Sequence, residues 1–327
     1  MWAFLGRRIL YMIPTLVIIS IIAFIIIQLP PGDFVTAHIA QMAASGDAVN
    51  VELAAALRRQ YGLDQPMHVQ YYKWITGIFQ GNLGYSFEWN QPVRTLIGER
   101  LFLTVIVSIA SLLFSWIVAF PIGIYSAVRQ YSVLDYVFTF IGFLGVSVPG
   151  FLIALVLMFF ANKYLGLSIG GLFSPEFVNA SWSLPRVLDM LQHMVLPMII
   201  IGMSSTTGLI RTMRANLLDE LSKPYVETAR AKGLNPVRLV LKYPVRIALN
   251  PFISTVGFTL PRIISGETIV SVVLSLPTIG PLLLRSLLGQ DMYLAGSIIL
   301  ILATLTVIGM LLSDILLAWL DPRVRYE

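Results

Sequence analysis

Ionisable side chains are scarce in this chain, so those inside apolar sequence are the first candidates for chemistry. Arg262 and Glu267 fall within the stretch from Ala248 to Leu274, which is otherwise almost entirely Leu, Ile, Val, Phe and small residues. A charge in hydrocarbon costs several kcal/mol unless it is paired or faces water, so an acid there is a candidate for ion coupling or for a polar pathway wall. The two residues project about 140° apart on a helix, which is not an intrahelical pair. Pro261, Ser265 and Gly266 beside them loosen the local backbone hydrogen bonding. Two readings stay open. Ser265, Gly266, Glu267 and Ser271 line a translocation pathway against a second protein, or Arg262 and Glu267 each pair with another helix and fix packing.

The second candidate is YVETARAKGLNPVRLVLKYPV, Tyr225 to Val245, where Arg230, Lys232, Arg238 and Lys242 face a single acid, Glu227. Ser222 is expected to cap a short helix with Pro224 in its first turn, where a missing N–H costs nothing. Tyr225 to Lys232 then makes about two turns and Gly233 ends them. Asn235-Pro236 turns the chain, and Val237 to Leu249 resumes an amphipathic helix. Two turns are too short to persist alone, so something must hold them. Ala229 and Ala231 permit close approach, and Tyr225 offers a rigid contact. The alternatives are a docking element for a partner protein and a basic loop that attracts anionic headgroups.

Other chemistry is poorly supplied. There is no cysteine, and His38, His68 and His193 lie far apart, which disfavours disulfides, thiolate sites and a histidine metal cluster. No G-x-x-x-x-G-K-[ST] phosphate loop is present. An enzyme embedded in a membrane is disfavoured for want of a His/Asp/Glu cluster near a span end, and no cofactor is expected on this chain.

The elements that must position these residues are membrane helices. The chain is 57% hydrophobic and 12% charged, with a mean hydropathy of +0.81. Soluble domains carry about a quarter charged residues, so this chain cannot cover a water-facing surface. Uncharged runs of about 20 residues span the hydrocarbon core as helices. Several are present, and six spans are expected in all: Ile9–Leu29, Leu101–Val128, Tyr136–Ala161, Met194–Ile210, Ala248–Leu274 and Met292–Leu317. The first is too long, and too poor in small residues at its end, for a removable signal peptide. The fold class is therefore all-α and integral to a membrane. The organisation is 1–29 as tail and first span, 30–100 as an external region, and 101–327 as a five-helix core. Within the external region, Val51–Tyr61 and His68–Phe79 have helical character. Arg7, Arg8, Arg129, the Arg211–Arg246 segment, Arg323 and Arg325 then share one side, which places both termini and the basic segment in the cytoplasm. In span three, Gly142, Gly145, Ser147, Pro149 and Gly150 suit close helix packing.

With these residues in view, the chain resembles a family. ETARAKG, Glu227 to Gly233, is similar to the E-A-A-x-x-x-G motif of ATP-binding-cassette importer permeases. RRILYMIPTLVIISIIAF with the following PPGD resembles the start of the dipeptide/oligopeptide group, as do LRRQYGLDQPMHVQYYKWITGIFQGNLGYSF and the ending LLAWLDPRVRYE. The match is to the first permease of the pair. It implies a coupling helix at about 222–234, carrying Tyr225, Glu227, Thr228, Ala229, Lys232 and Gly233, that seats in a cytoplasmic ATPase. It further implies a second homologous permease, two ATPase subunits that hold ATP and Mg, an external solute-binding protein, and a place in the bacterial inner membrane. The expected activity is non-catalytic: import of a small peptide, oligosaccharide or similar solute. The rival is a secondary transporter or channel using Glu267 without ATPases, although no inverted repeat supports it. Departures from the group's pattern lie at Thr228, at GNLG (Gly81–Gly84), at Ser271 in place of an acid, and at the Pro277–Gly280 turn. The last two favour a solute other than a peptide.

Overall fold

The computed structural model describes residues 2–29, 32, 34–36, 39, 55–56, 58–59, 62–165, 170–253 and 268–320, with backbone only at 2–5, 144, 146, 165 and 317–320. Helix α1 (Trp2–Gln28) is followed by α2 (Met67–Phe79) and by an antiparallel hairpin in which β1 (Tyr85–Ser86) pairs with β2 (Gln91–Pro92). Then come α3 (Val93–Val128), α4 (Val133–Ser147), α5 (Gly150–Leu165) and α6 (Leu184–Leu221). The basic segment contributes α7 (Pro224–Ala231), α8 (Pro236–Lys242) and α9 (Pro244–Ala248). The chain closes with α10 (Thr268–Val273), α11 (Ile279–Leu288) and α12 (Met292–Leu320).

Among the described residues, four helices are long and apolar enough to cross a bilayer: Gly6–Gln28, Val93–Val128, Leu184–Leu221 and Met292–Leu316. They coincide with the first, second, fourth and sixth expected spans, the middle two running longer. The third expected span is two helices instead. Pro149 has no N–H to donate and turns Val148 away from helical geometry, so α4 stops at Ser147 and α5 restarts at Gly150. The centre of the fifth, 254–267, lies outside the described residues, as does most of Val51–Tyr61. The turn expected over Pro277–Gly280 ends at Thr278, because Ile279 already begins α11.

The chain divides into two compact units: Met1–Thr104 with Thr278–Ile308, and Val105–Pro277 with Gly309–Glu327. In the first, Phe24, Phe34, Trp74, Phe87 and Met292 form one apolar core. Val93, Ile97, Ile279, Leu282 and Ile298 form another. Gly296 lets the Trp74 ring approach to where an added Cβ would stand 3.0 Å away. At Gly84, φ is +83° and a Cβ would come 2.7 Å from the Tyr293 ring, so glycine is required twice over. Asp291, wholly buried, ties the hairpin to α12. Its carboxylate accepts from the Ser86 hydroxyl, from the Glu88 N–H at 3.2 Å and from the Leu294 N–H at 3.2 Å, the last being an N-cap of α12. Burial pushes its carboxyl above the ordinary value, against the pull of these donors and the Phe87 N–H.

In the second unit the long helices touch through small residues, as membrane helices do. A Cβ on Gly202 would stand 2.6 Å from Phe114, and the Ser115 hydroxyl donates to the Gly202 carbonyl at 2.9 Å. The Thr207 hydroxyl donates to the Gly142 carbonyl at 3.0 Å, which accounts for Gly142 as a packing residue. Buried Asp135 pairs with Arg214 at 3.3 Å and accepts from the Tyr131 N–H at 3.0 Å, fixing the α3–α4 turn to α6.

Candidate functional site

Helix α7 begins where α6 ends. Ser222 does not cap α7: its hydroxyl donates back to the Asp219 carbonyl at 2.8 Å and closes α6. Lys223 holds the extended N-cap backbone instead, and Pro224 supplies the first helical residue without an orphan donor. The far end is a Schellman motif. The Gly233 N–H reaches the Arg230 carbonyl at 3.0 Å, and the Leu234 N–H reaches Ala229 at 3.4 Å. Gly233 has φ +74°, as that motif demands at C′. Asn235 then caps α8 by accepting from the Val237 N–H at 3.0 Å. The amphipathic helix expected over Val237–Leu249 is broken at Tyr243, because Pro244 cannot donate.

Two turns persist because one face is fixed. Val226 and Ala229 are buried against Leu239, with Tyr225, Leu234 and Val240 around them. A second tie runs through Glu220 in the last turn of α6. Its carboxylate receives the Tyr225 hydroxyl at 2.6 Å and the Lys223 ammonium at 2.5 Å. Partial burial, then the hydrogen bond and charge of Glu220, hold the Tyr225 phenol well above the ordinary tyrosine range.

The six residues singled out in the sequence therefore divide. Glu227, Thr228, Lys232 and Gly233 are exposed, together with Pro224 and Ala231. Ala229 and Tyr225 turn inward, so the close approach expected at Ala229 is made by Leu239 of the same chain. The Glu220 tie was not read from the sequence, although an acid followed by Lys at the third and Tyr at the fifth position was a usable signal. Of the four pathway candidates, Ser265, Gly266 and Glu267 lie outside the described residues, as does Arg262. Ser271 is buried, and its carbonyl accepts from the Leu276 N–H at 2.8 Å.

A second polar group sits at the start of α6. The Ser174 hydroxyl donates to Asp189 at 2.6 Å, while His193 Nδ1 lies 2.9 Å from the Asp189 carbonyl oxygen. The hydroxyl points at the carboxylate and not at the imidazole, and the Ser174 N–H also donates to Asp189 at 2.8 Å, so the group ties a loop to α6. Among the described residues, no cluster of three or more His, Asp or Glu could hold a metal ion.

Long apolar helices joined by short ones define a multi-pass membrane protein. The comparisons agree. Residues 119–326 match the family described as binding-protein-dependent transport system inner membrane component, and residues 1–110 match its N-terminal region. The oligopeptide transport system permease protein AppB of Bacillus subtilis is 34% identical over 328 residues, covering 100% of both chains. The glutathione transport system permease protein GsiC of Salmonella choleraesuis is 31% identical over 98% of each. The oligopeptide transport system permease protein OppB of Haemophilus influenzae is 30% identical over 100% of each. The chain belongs to the family of binding-protein-dependent transport system inner-membrane components, and is a permease of the bacterial inner membrane.

Proposed function

We propose that this chain is one of two permease subunits in an ATP-driven importer, with α7 as the coupling helix that seats in a cytoplasmic ATPase. The observation that carries the reading is the division of α7 into two faces. Its inner face is locked to α8 and, through Glu220, to the end of α6. Its outer face, Pro224, Glu227, Thr228, Arg230 and Ala231 with Lys232 just past its end, is small or polar, suited to a protein cleft and unsuited to the hydrocarbon of a membrane. Both termini and α7 lie on the cytoplasmic side in this reading, with six spans.

A second related permease, two ATPases and an external binding protein complete the assembly. ATP and Mg belong to the ATPase chains. When the ATPase pair closes, α7 is displaced; the Glu220 tie passes the displacement into α6, and the spans tilt so that a central cavity opens alternately to each side. Ser265, Gly266, Glu267 and Ser271 are assigned to that pathway. The names of the relatives, oligopeptide and glutathione permeases, support a small peptide over an oligosaccharide as cargo.

The test is purification from native membranes in mild detergent, beside a variant carrying Gly233→Pro and Glu227→Lys. Stoichiometric ATPase subunits should accompany the native chain and be lost from the variant. Recovery of the native chain without any ATPase, across several mild detergents, would overturn the assignment. Glu267→Gln should leave ATP-driven uptake running, whereas abolition would favour ion coupling through Glu267.

A further inference from the structure

The basic segment carries more cations than α7 needs, and most lie beyond it. Between Glu227 and Glu267 the sequence holds Arg230, Lys232, Arg238, Lys242, Arg246 and Arg262 and no acid. Arg238, Lys242 and Arg246 follow one another at intervals of four on α8 and α9, all exposed. Large apolar side chains are exposed among them: Val237 is 67% accessible and Leu241 54%.

At about 100° per residue, the surface of α8 falls into three sectors. Leu239 and Val240 face the protein. Val237 and Leu241 form an apolar strip, and Arg238 and Lys242 a basic strip beside it. Helix α7 has no counterpart to that apolar strip: its buried Val226 is its largest aliphatic residue, and its outer face is small or polar. Through Val240, Val245, Ala248 and Leu249, the α8–α9 segment packs on Ala127 at the end of α3 and on Met213 and Leu217 near the end of α6. It is therefore level with the end of α3 and with the polar last turns of α6, which carry Arg211 and Arg214 just past the apolar stretch that ends at Ile210.

We propose that α8 and α9 form an interfacial element that binds anionic lipid at the cytoplasmic leaflet. Val237 and Leu241 enter the acyl boundary, and Arg238, Lys242 and Arg246 contact the headgroups. The side of the membrane rests on the orientation proposed above. The occupant follows from charge and shape together. An acid-free basic strip selects an anionic partner, and an apolar strip at the level of the helix ends selects a lipid over a soluble protein. The long basic stems can lie along the apolar strip while their charges reach water.

The test places a photo-crosslinking side chain at Leu241 or at Thr228 of the intact complex in its native membrane. Position 241 should yield lipid adducts and position 228 protein adducts. In vesicles containing phosphatidylcholine and phosphatidylglycerol, the adducts at 241 should be enriched in phosphatidylglycerol. The combined Arg238→Gln, Lys242→Gln and Arg246→Gln variant should lose that enrichment, by about fivefold for each charge removed. These substitutions leave buried Leu239, Val245 and Ala248 untouched, so the fold remains. Protein adducts predominating at 241, or enrichment that survives the triple variant, would overturn the proposal. Lipid at 241 with no ATPase captured at 228 would uphold it while counting against α7 as the coupling helix.

Discussion

Two carboxylates hold two chain reversals in this molecule, and they do so in opposite ways. Asp291 is completely buried, and its direct partners are a hydroxyl and backbone N–H groups, all neutral donors. Glu220 is also buried, at 8% exposure, but its partners are a phenol and an ammonium whose side chain is 51% exposed. The first joint is sealed: releasing any donor leaves a buried polar group unpaired, which costs about 1–3 kcal/mol for each. The second has one partner in water: the Lys223 ammonium can leave for solvent at a modest cost, while the buried carboxylate keeps the Tyr225 hydroxyl. A sealed joint maintains shape. A joint with one partner in water, at the foot of an exposed helix, can pass on a displacement and recover from it.

Substitutions at the two joints should separate these roles. Asp291→Ala is expected to have the largest effect, destabilising the first unit by about 3 kcal/mol, since it orphans several donors and removes the cap of α12. Thermal unfolding in detergent would register it, and Asp291→Asn should cost less. A wild-type melting point for Asp291→Ala would break the contrast. Gly84→Ala comes next, at about 2 kcal/mol, because φ is +83° and the Tyr293 ring occupies the space a methyl needs. Relief by Tyr293→Ala in the same chain would assign the cost to the ring, and the remainder to the backbone.

At the other joint, Glu220→Gln should leave assembly and melting nearly unchanged and lower uptake per ATP hydrolysed about tenfold, in line with the loss of a charged hydrogen bond. Equal losses of uptake and ATPase recovery would mean that the tie serves only folding. Tyr225→Phe should act in the same direction with about a fivefold effect, the neutral half of the tie being removed. The phenol also gives a spectroscopic reading. Its raised value means that the hydrogen-bonded form persists through the usual tyrosine range near pH 10 and is lost only as pH climbs beyond it. The ultraviolet titration of the native protein minus that of Tyr225→Phe should therefore place the missing ionisation above the ordinary range. Glu220→Gln should bring it back down.

What was legible in the sequence is local in origin. Helix α7, its proline start and its Gly233 stop follow from capping rules that act over a few residues, and the helix expected over His68–Phe79 runs over Met67–Phe79. The long apolar runs announced their helices through composition alone. Facing was harder. Tyr225 and Ala229 turned inward because Leu239 and Glu220 were available to them, and neither choice is encoded in the spacing of α7 itself. Helix α11 was missed because Gly280 and Pro281 in its first turn read as a continuation of the Pro277 turn, and its ten residues are too few to span a membrane. Asp291 could not be paired in advance with Ser86, which lies 205 residues earlier.

The Schellman turn at Gly233 also makes this segment sensitive to length in a way that its exposed residues are not. Val226 and Ala229 meet Leu239 because the chain reverses over a fixed number of residues between α7 and α8. Surface loops usually absorb insertions at little cost. Here one residue added or lost between Lys232 and Pro236 would rotate α8 by about 100°, carrying Leu239 out of its pocket and swinging its neighbours round to replace it. Side chains along this stretch can drift through substitution, but a single inserted or deleted codon would disrupt both surfaces at once.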